Sequence, residues 1–445
     1  MYRLSKDGVL SPELVVKYIE KNRNEVARLN KLYEYYIGKH AIKQRTMADP
    51  TKPNNKVVNP YATYITDLGT GYFMGEPVSY SSEEEQFLEE IKSIYNYNDE
   101  SAENAELAKD GSIFGKSYEL LYLDDDKAIR FKKISPIGCI PIYDNTIEED
   151  LLYFIRYYDD ENIMTGEVTT FVEVYSRTYR QLYKKSFTTL ELIEEEQHAF
   201  NAVPVVIYQN NPEELGDFEE VIPLIDAYDK IQSDSVNDME YFADAYLAMY
   251  GIDAEPEDIS AMKEQRVLLF PSDAKAEWLV KSINDTYVEN LKTRLDKDIH
   301  KFSTVPAMTD EQFASNASGV AMKYKLMGLE NITAKKERCF KKGLQRRLEI
   351  ICNMLAVMGM NYDYRAIDII FKRNIPANLT EMAEVIDKIG HLFSEETQIS
   401  LLPIDVDYTA EKVKKDKEKE AGYSFPLQDE GEGEVNGLLS EKNIS

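Results

Sequence analysis

Residues 303–359 read STVPAMTDEQFASNASGVAMKYKLMGLENITAKKERCFKKGLQRRLEIICNMLAVMG, and this stretch decides the fold. It opens as a polar segment, Ser303 to Ser318, and then runs without proline from Val320 to Met358. Phe340, Leu344, Leu348, Ile351 and Leu355 recur at steps of four, four, three and four, which is one face of a helix. Ser315 and Ser318 are candidate N-caps, because a side-chain oxygen there can accept from the first free backbone N–H groups. Asn331-Ile332-Thr333 is the interior stop signal. A helix of about 40 residues is ~60 Å long, more than the width of most small domains. From Gly319 to Met358, nine Lys/Arg (Lys323, Lys325, Lys335, Lys336, Arg338, Lys341, Lys342, Arg346, Arg347) stand against three Glu (Glu330, Glu337, Glu349). A charge run is ordinarily a solvated surface. The length of this one and its polar entry single it out.

Working outward, residues 220–250 predict a second long helix, with Asp226, Asp229, Asp234, Asp238, Glu240 and Asp244 against Lys230 and ending at Gly251. If it faced a channel, those acids would repel phosphates. Ile252 to Asn284 reads as a compact insert: EDISAMKEQ helical, then VLLF and AEWLV as strands flanking PSDAK. Asp285 to Phe302 predicts a third helix. Further upstream, residues 11–37 read as one helix with Ser11 as N-cap and Pro12 at the first helical position. KVVNPYATYITDLGTGYFMGEPVSY reads as a helix, glycines and an edge-like strand, and 82–97 and 101–114 as helices. From Ser117 to Gln209 the period changes. YELLYL, IRFKKI, GCIPIYD, LYFIRYY, EVTTFVEVYS, TYRQLYK and VPVVIYQ are short β-branched and aromatic runs, with Asp124-Asp125-Asp126 as a hairpin turn. Downstream of Gly359, AIDIIFKRN predicts a strand, LTEMAEVIDKIGHLF and EETQISLLP helices, and 407–420 a mixed-charge helix. The acidic, Gly-containing segment from Gly422 reads as disordered. The fold class is α+β.

The chain has 445 residues, 43% hydrophobic and 11% aromatic, which is enough for two or three domains and a real core. A net charge of −28 argues against adhesion of the whole surface to DNA, since phosphate binding needs clustered Lys/Arg. A DNA that passes through and is held weakly remains compatible with it. Thirty-one tyrosines against one tryptophan suggest amphipathic contact surface as well as core. Cys139, Cys339 and Cys352 form neither a disulfide framework nor a zinc site. The N-terminal residues carry no apolar signal region and no run is long enough to span a bilayer, so the expectation is a soluble intracellular protein with no membrane partner.

Candidate chemistry dissolves on inspection. Gly111-Ser-Ile-Phe-Gly115-Lys116-Ser117 resembles a P-loop. It has three residues where four are needed before the Gly-Lys pair, and a strand follows where a helix should. His40, His198, His300 and His391 have no zinc spacing, and His300 reads as a surface residue. Asp124/Asp126 and Asp405/Asp407 are acid pairs that so acidic a chain produces freely. The expectation is no catalytic residue, no metal and no cofactor.

The order helix, insert, helix, polar loop, very long helix, with ASNASGVAMKYKLMGLE at the loop exit, resembles the portal (head–tail connector) proteins of tailed double-stranded DNA bacteriophages. It is most similar to those of siphoviruses and prophages of Gram-positive hosts. KVVNPYATYITDLGTGYFMGEPVSY and DGSIFGKSYELLYLDDDKAIRFKKISPIGCIPIYD agree in order, and the resemblance spans about Pro12 to Lys419. It implies an α/β wing at 1–220, stem helices at 221–250 and 285–302, and a small α/β clip at 251–284. A tunnel loop at 303–318, a long wing helix at 319–358, wing and crown helices at 359–420 and an acidic tail at 421–445 complete it. It further implies a cyclic ring of twelve copies at one capsid vertex. Through that ring double-stranded DNA is packaged and ejected, with terminase, major capsid and scaffolding proteins and a head-completion adaptor as partners, in the virion and, during assembly, the host cytoplasm. On that reading Thr304, Val305, Pro306, Ala307, Met308, Thr309, Asp310, Glu311, Gln312, Phe313, Ala314, Ser315 and Asn316 form the tunnel loop. Lys323, Lys325, Lys335 and Lys336 are candidate DNA or intersubunit contacts. The alternatives are another head protein, minor or scaffold-associated, and a nucleotide enzyme using Lys116.

Overall fold

The computed structural model describes residues 2–242, 246–250, 275–279, 285–308, 319–374, 387–388, 392 and 412–417. The chain divides into a unit of residues 1–374 and a second of 375–445, in which the described residues include a helical 412–417. The helices expected over LTEMAEVIDKIGHLF and EETQISLLP, and the tail from Gly422, lie for the most part or wholly outside the described residues.

The first unit begins with a short strand β1 (Tyr2–Leu4) and helix α1 (Pro12–Lys21). The Ser11 hydroxyl accepts from the Leu14 N–H at 3.4 Å, the cap the sequence predicts. The single helix expected over 11–37 is broken at Asn22, and α2 follows as Arg23–Tyr36. Asn22 is buried. Its side chain accepts from the Tyr2 hydroxyl and donates to the Tyr157 hydroxyl, each at 3.3 Å, which pins the joint to the neighbouring sheet. Helix α3 (Tyr61–Met74), strand β2 (Ser79–Ser81), α4 (Glu85–Tyr97) and α5 (Glu100–Phe114) follow as read.

The β-rich region holds eight strands: β3 (Lys116–Leu123), β4 (Ile129–Ile134), β5 (Cys139–Asp144), β6 (Leu151–Glu161), β7 (Val168–Tyr175), β8 (Tyr179–Ser186), β9 (Thr189–Gln197) and β10 (Val205–Gln209). Together with β1 they form a six-stranded sheet, β1-β5-β6-β7-β8-β9, and a three-stranded sheet, β10-β3-β4. Only β1 and β5 run parallel among these pairs. The Asp124 carboxylate accepts from the N–H groups of Asp126 and Ala128 and makes the expected β3–β4 turn. Strand β9, TLELIEEEQ, carries no clean alternation and is exposed almost throughout as a sheet edge. Helix α1 lays Val15, Tyr18 and Ile19 against Ile140, Ile155, Val172 and Val174 of the larger sheet.

Helix α6 (Ile222–Phe242) stops short of the expected 250. Tyr246–Tyr250 is instead strand β11, antiparallel to β12 (Lys275–Leu279), with Leu247 opposite Trp278. YLAMY is aromatic and apolar enough for either state, and the ladder decides it. The expected VLLF strand and EDISAMKEQ helix fall outside the described residues. Helix α7 (Asp285–Ser303) and the 39-residue α8 (Gly319–Val357) match the reading, and β13 (Asp368–Ile370) pairs with β2. Thr333 does not stop α8, because its hydroxyl turns back to the Leu329 carbonyl at 2.8 Å.

Phe340, Leu344, Leu348, Ile351 and Leu355 are all buried, as one face of α8 laid against β10, β3 and β4. The approach is close: a Cβ at Gly343 would stand 2.3 Å from the Tyr208 ring. Beside this face the Arg347 side chain is fully buried. Its guanidinium binds Glu119 at 2.8 and 2.7 Å, Asn104 at 2.8 Å and Glu100 at 3.3 Å, and lies 4.5 Å from the Phe131 ring centroid. Replacing Arg347 with Met leaves two buried carboxylates uncompensated. Such a loss costs about 3–5 kcal/mol. The expected outcome is a clear drop in thermal stability, partly recovered by adding Glu119→Gln; equal melting temperatures for wild type and Arg347→Met would contradict it.

Candidate functional site: the 304–308 segment and the long helix

Helix α7 ends at Ser303, and the chain turns out of it at Thr304, whose φ of +57° is unusual for a β-branched residue. Val305 is buried in the cluster that holds Leu29, Leu32, Ile65 and Leu329. The His300 ring donates from Nδ1 to the Val305 carbonyl at 2.8 Å. Tyr64 completes the fastening: its hydroxyl donates to the Pro306 carbonyl at 2.9 Å and accepts from the Met308 N–H at 2.8 Å. Thr304 to Met308 are therefore tied to α3 and α7, and only Met308 of these five is exposed. Thr309, Asp310, Glu311, Gln312, Phe313, Ala314, Ser315 and Asn316, with the proposed caps Ser315 and Ser318, lie outside the described residues.

His300 is not the surface residue the sequence suggested. Its ring packs edge-on against Tyr61 and Tyr64, at 5.9 and 5.6 Å between centroids. Tyr61 donates to Asp296 at 2.6 Å, and burial together with that carboxylate raises its hydroxyl well above the ordinary tyrosine range.

The four lysines singled out on α8 separate. Lys323 and Lys335 are exposed and Lys325 is half-buried. Lys336 is buried and forms an ion pair with Asp217, which also accepts from Ser112 at 2.5 Å and Asn210 at 2.8 Å. Near the helix's first third, Glu330 accepts from Arg373 at 2.9 and 3.1 Å and from the Tyr72 hydroxyl at 2.8 Å, and Arg373 reaches Glu337 at 2.7 Å. Burial followed by the Glu330 carboxylate pushes the Tyr72 hydroxyl up to about 12. For Glu330 burial raises the carboxyl, but the Arg373 and Tyr72 hydrogen bonds outweigh it and the net shift is downward.

The acids of α6 are similarly engaged. Asp226 accepts from Tyr35 at 2.6 Å, and Asp234 binds Arg45 at 2.6 Å. Asp229, fully buried, binds His40 at 2.6 Å and Asn59 at 2.8 Å, and Glu240 accepts from Asn55 at 2.6 Å. These four bind donors in the 35–59 segment of their own chain.

The P-loop-like stretch is a helix end. Gly115 caps α5 at φ +85°, where a Cβ would stand 2.0 Å from the Glu214 carbonyl oxygen. Lys116 begins β3 and is held between Glu25 and Glu214 at 3.0 and 2.9 Å. Burial pushes the Cys139 and Cys352 thiols up to about 12. Among the described residues no group of three or more His, Cys, Asp or Glu could hold a metal ion, and no helix is long and apolar enough to cross a membrane. Asp405/Asp407 lie outside the described residues.

Two features of the site escaped sequence reasoning. Tyr64 reads as one of many tyrosines, and Arg373 as one residue of the expected strand AIDIIFKRN. The spacing of neither signals its partner.

A model of the family described as "Phage portal protein, SPP1 Gp6-like" matches residues 16–423. The chain is 24% identical over 428 residues to the portal protein of Bacillus phage SPP1, covering 88% of this chain and 84% of that one. It is 24% identical over 359 residues to the portal protein of Clostridium phage phiCD119 (strain Clostridium difficile/United States/Govind/2006), covering 75% and 78%. A solved structure described as "Neck of empty GTA particle computed with C6 symmetry" superposes with a TM-score of 0.49 at 13% identity, over 78% of this chain and 90% of that one.

Two outcomes are expected. Tyr64→Phe removes both hydrogen bonds at the segment base, at a cost of roughly 1–2 kcal/mol. Amide exchange at Met308 should then quicken while the global melting temperature moves little. Unchanged exchange would show that the hydroxyl holds nothing. For Glu330, a lowered folded-state pKa means its stabilisation is full above the unfolded value of about 4.3 and is lost as pH falls through the folded value. Glu330→Gln should flatten that part of the acid melting curve, by a small amount because the carboxylate is partly exposed.

Proposed function

The chain belongs to the SPP1 Gp6-like family of phage portal proteins, and from that premise we propose that it closes into a twelve-copy ring forming the DNA channel at one capsid vertex. The observation that carries this reading is the family match across 16–423, which takes in every element described above except β1 and the first turn of α1. On this reading the two sheets with α1 to α5 and much of α8 are the wing. Helices α6 and α7 are the stem, β11 and β12 belong to the clip, and residues 304–316 are the tunnel loop. The fastening of Thr304 to Met308 supports a loop whose base is fixed on α3 and α7, with α8 carrying its position into the wing. Lys323, Lys325 and Lys335 are the candidates for transient contacts with DNA or with a neighbouring copy; Lys336 is buried against Asp217 and is set aside. Double-stranded DNA, terminase, capsid and scaffolding proteins and a head-completion adaptor are the partners, the site is the virion, and the ATP-driven step belongs to another protein.

Negative-stain images of the purified chain should show a ring with an open axial channel. Folded protein that stays monomeric at every concentration would overturn the ring. Within an assembled ring, deleting residues 307–316 should leave the ring intact and impair DNA packaging. Normal packaging after that deletion would remove the loop from the channel function.

A further inference from the structure

The cluster under α8 sets one guanidinium against two carboxyls. Glu100 and Glu119 both meet the Arg347 side chain, and both are more than nine-tenths buried. The geometry separates the two acids. Glu119 accepts on both oxygens: Arg347 Nη2 reaches Oε1 at 2.7 Å, while Arg347 Nε at 2.8 Å and the Tyr208 hydroxyl at 2.9 Å reach Oε2. Neither oxygen is left to carry a proton, and the bidentate pair sets the guanidinium's charge against this carboxylate. Glu100 accepts on one oxygen. The Tyr80 hydroxyl, the Asn104 amide and, at 3.3 Å, Arg347 Nη1 all converge on its Oε1. Among the described residues no donor reaches its Oε2. One oxygen that collects the donors beside one that collects none is the pattern of a neutral carboxylic acid.

Charge balance agrees with that pattern. Two ionised carboxyls would leave one buried negative charge unanswered by Arg347. Glu100 opens α5, where a helix favours an anion, but its side chain runs along the helix to Asn104 instead of accepting from the free first-turn N–H groups. Burial holds the Glu100 carboxyl above the usual carboxylate range, against the pull of Arg347, Tyr80 and Asn104, and the Glu119 charge adds to the rise. The other titratable groups of the cluster come from five elements. Tyr80 on β2, Tyr95 on α4 and Tyr208 on β10 are raised by burial well above the ordinary tyrosine range and keep their protons. Arg347 on α8 stays charged, and on α5 itself Glu103 is answered by Lys132 and the Lys133 N–H.

We propose that Glu100 is a proton-binding site that makes the anchor of α8 sensitive to pH. Its carboxyl keeps a proton where exposed carboxyls have lost theirs; when it ionises, Arg347 is shared between two buried anions and its hold on α5 and β3 loosens. A carboxyl that binds its proton more tightly in the folded chain adds stability that is full below the unfolded value of about 4.3 and is lost as pH rises through the folded value. The sign is opposite to that of Glu330. The inference stands on this cluster and needs no ring.

Melting curves of the full chain at about pH 5 and about pH 9 test it. Glu100→Gln has the shape of the protonated form, so it should match wild type at the lower pH and melt higher at the upper, by roughly 2 °C or more. At the upper pH, amide exchange across residues 344–351 should be slower in the variant, by up to about tenfold for each pH unit over which the folded chain retains the proton. A gap between variant and wild type that is the same at both pH values, or a variant less stable at both, would overturn the proposal. Infrared spectra give a second reading. A protonated-carboxyl C=O band should persist in wild type above the range where exposed carboxyls ionise, and vanish in Glu100→Gln. It should survive in Asp110→Asn, because Asp110 is also raised by burial but is paired with Lys133 at 3.2 Å. Absence of that band from wild type would overturn the proposal even if the glutamine variant failed to fold.

Discussion

A fully buried guanidinium sets the position of the long helix. An arginine with no exposed side-chain surface is strongly destabilising unless every donor finds an acceptor, because the cost of desolvating the charge must be offset locally. Arg347 meets that condition with Glu119 on β3 and with Glu100 and Asn104 on α5, and the Phe131 ring covers one face. The bidentate pair fixes both the height and the rotation of α8, since a shift of one residue would bury the charge without its partner. The cost is visible in Glu100, where desolvation outweighs the help from Arg347 and the carboxyl is pushed upward. Tyr208 adds a hydrogen bond to Glu119 at 2.9 Å from the strand that Gly343 allows so close.

From that point the helix carries position toward its N-terminal end. Lys336 lies eleven residues earlier, about 16 Å along the axis, and Glu330 about 26 Å. The Lys336–Asp217 pair ties the middle of the helix to the turn after β10, and Glu330 with Arg373 ties it to the chain leaving β13. Gly328 then passes Thr304 closely enough that an added Cβ would stand 3.7 Å from the Thr304 carbonyl oxygen. The base of the 304–308 segment is thus held from two sides, by α8 and by Tyr64 with His300. A segment anchored in this way can be displaced at its base only by moving α3, α7 or α8 with it.

Much of this was legible because it depends on local rules. The Ser11 cap, the Asp124 turn, the five-residue apolar face of α8 and the glycine end of α5 each follow from neighbours within a turn or two. What could not be read depends on distant partners. Asn22 breaks a helix because Tyr2 and Tyr157 reach it, and Arg347 counts as surface charge until β3 and α5 are placed. Strand β9 shows no alternation because it is an edge exposed nearly throughout, so burial never selected one. YLAMY was absorbed into the preceding helix because its apolar pattern serves both states, and only the pairing with KAEWL distinguishes them. His300 looked like surface beside two aspartates, until the tyrosines of α3 enclosed it.

Charge counting misleads for the same reason. The acids of α6 suggested a wall that repels phosphates, yet Asp226, Asp229, Asp234 and Glu240 hold Tyr35, His40, Arg45, Asn55 and Asn59. Of these only Asp234, paired with Arg45, has its charge offset by a permanent opposite charge; the neutral donors fix where the other carboxylates point, and salt screens exposed charge within about 10 Å. The basic count of α8 falls likewise once Lys336 and Arg347 are seen to be internal. Any steering of a polyanion must then come from groups left at the surface, such as Lys323 and Lys335 on one side and the glutamates of β9 on another. The net charge of −28 describes the chain's solubility better than it describes any one face.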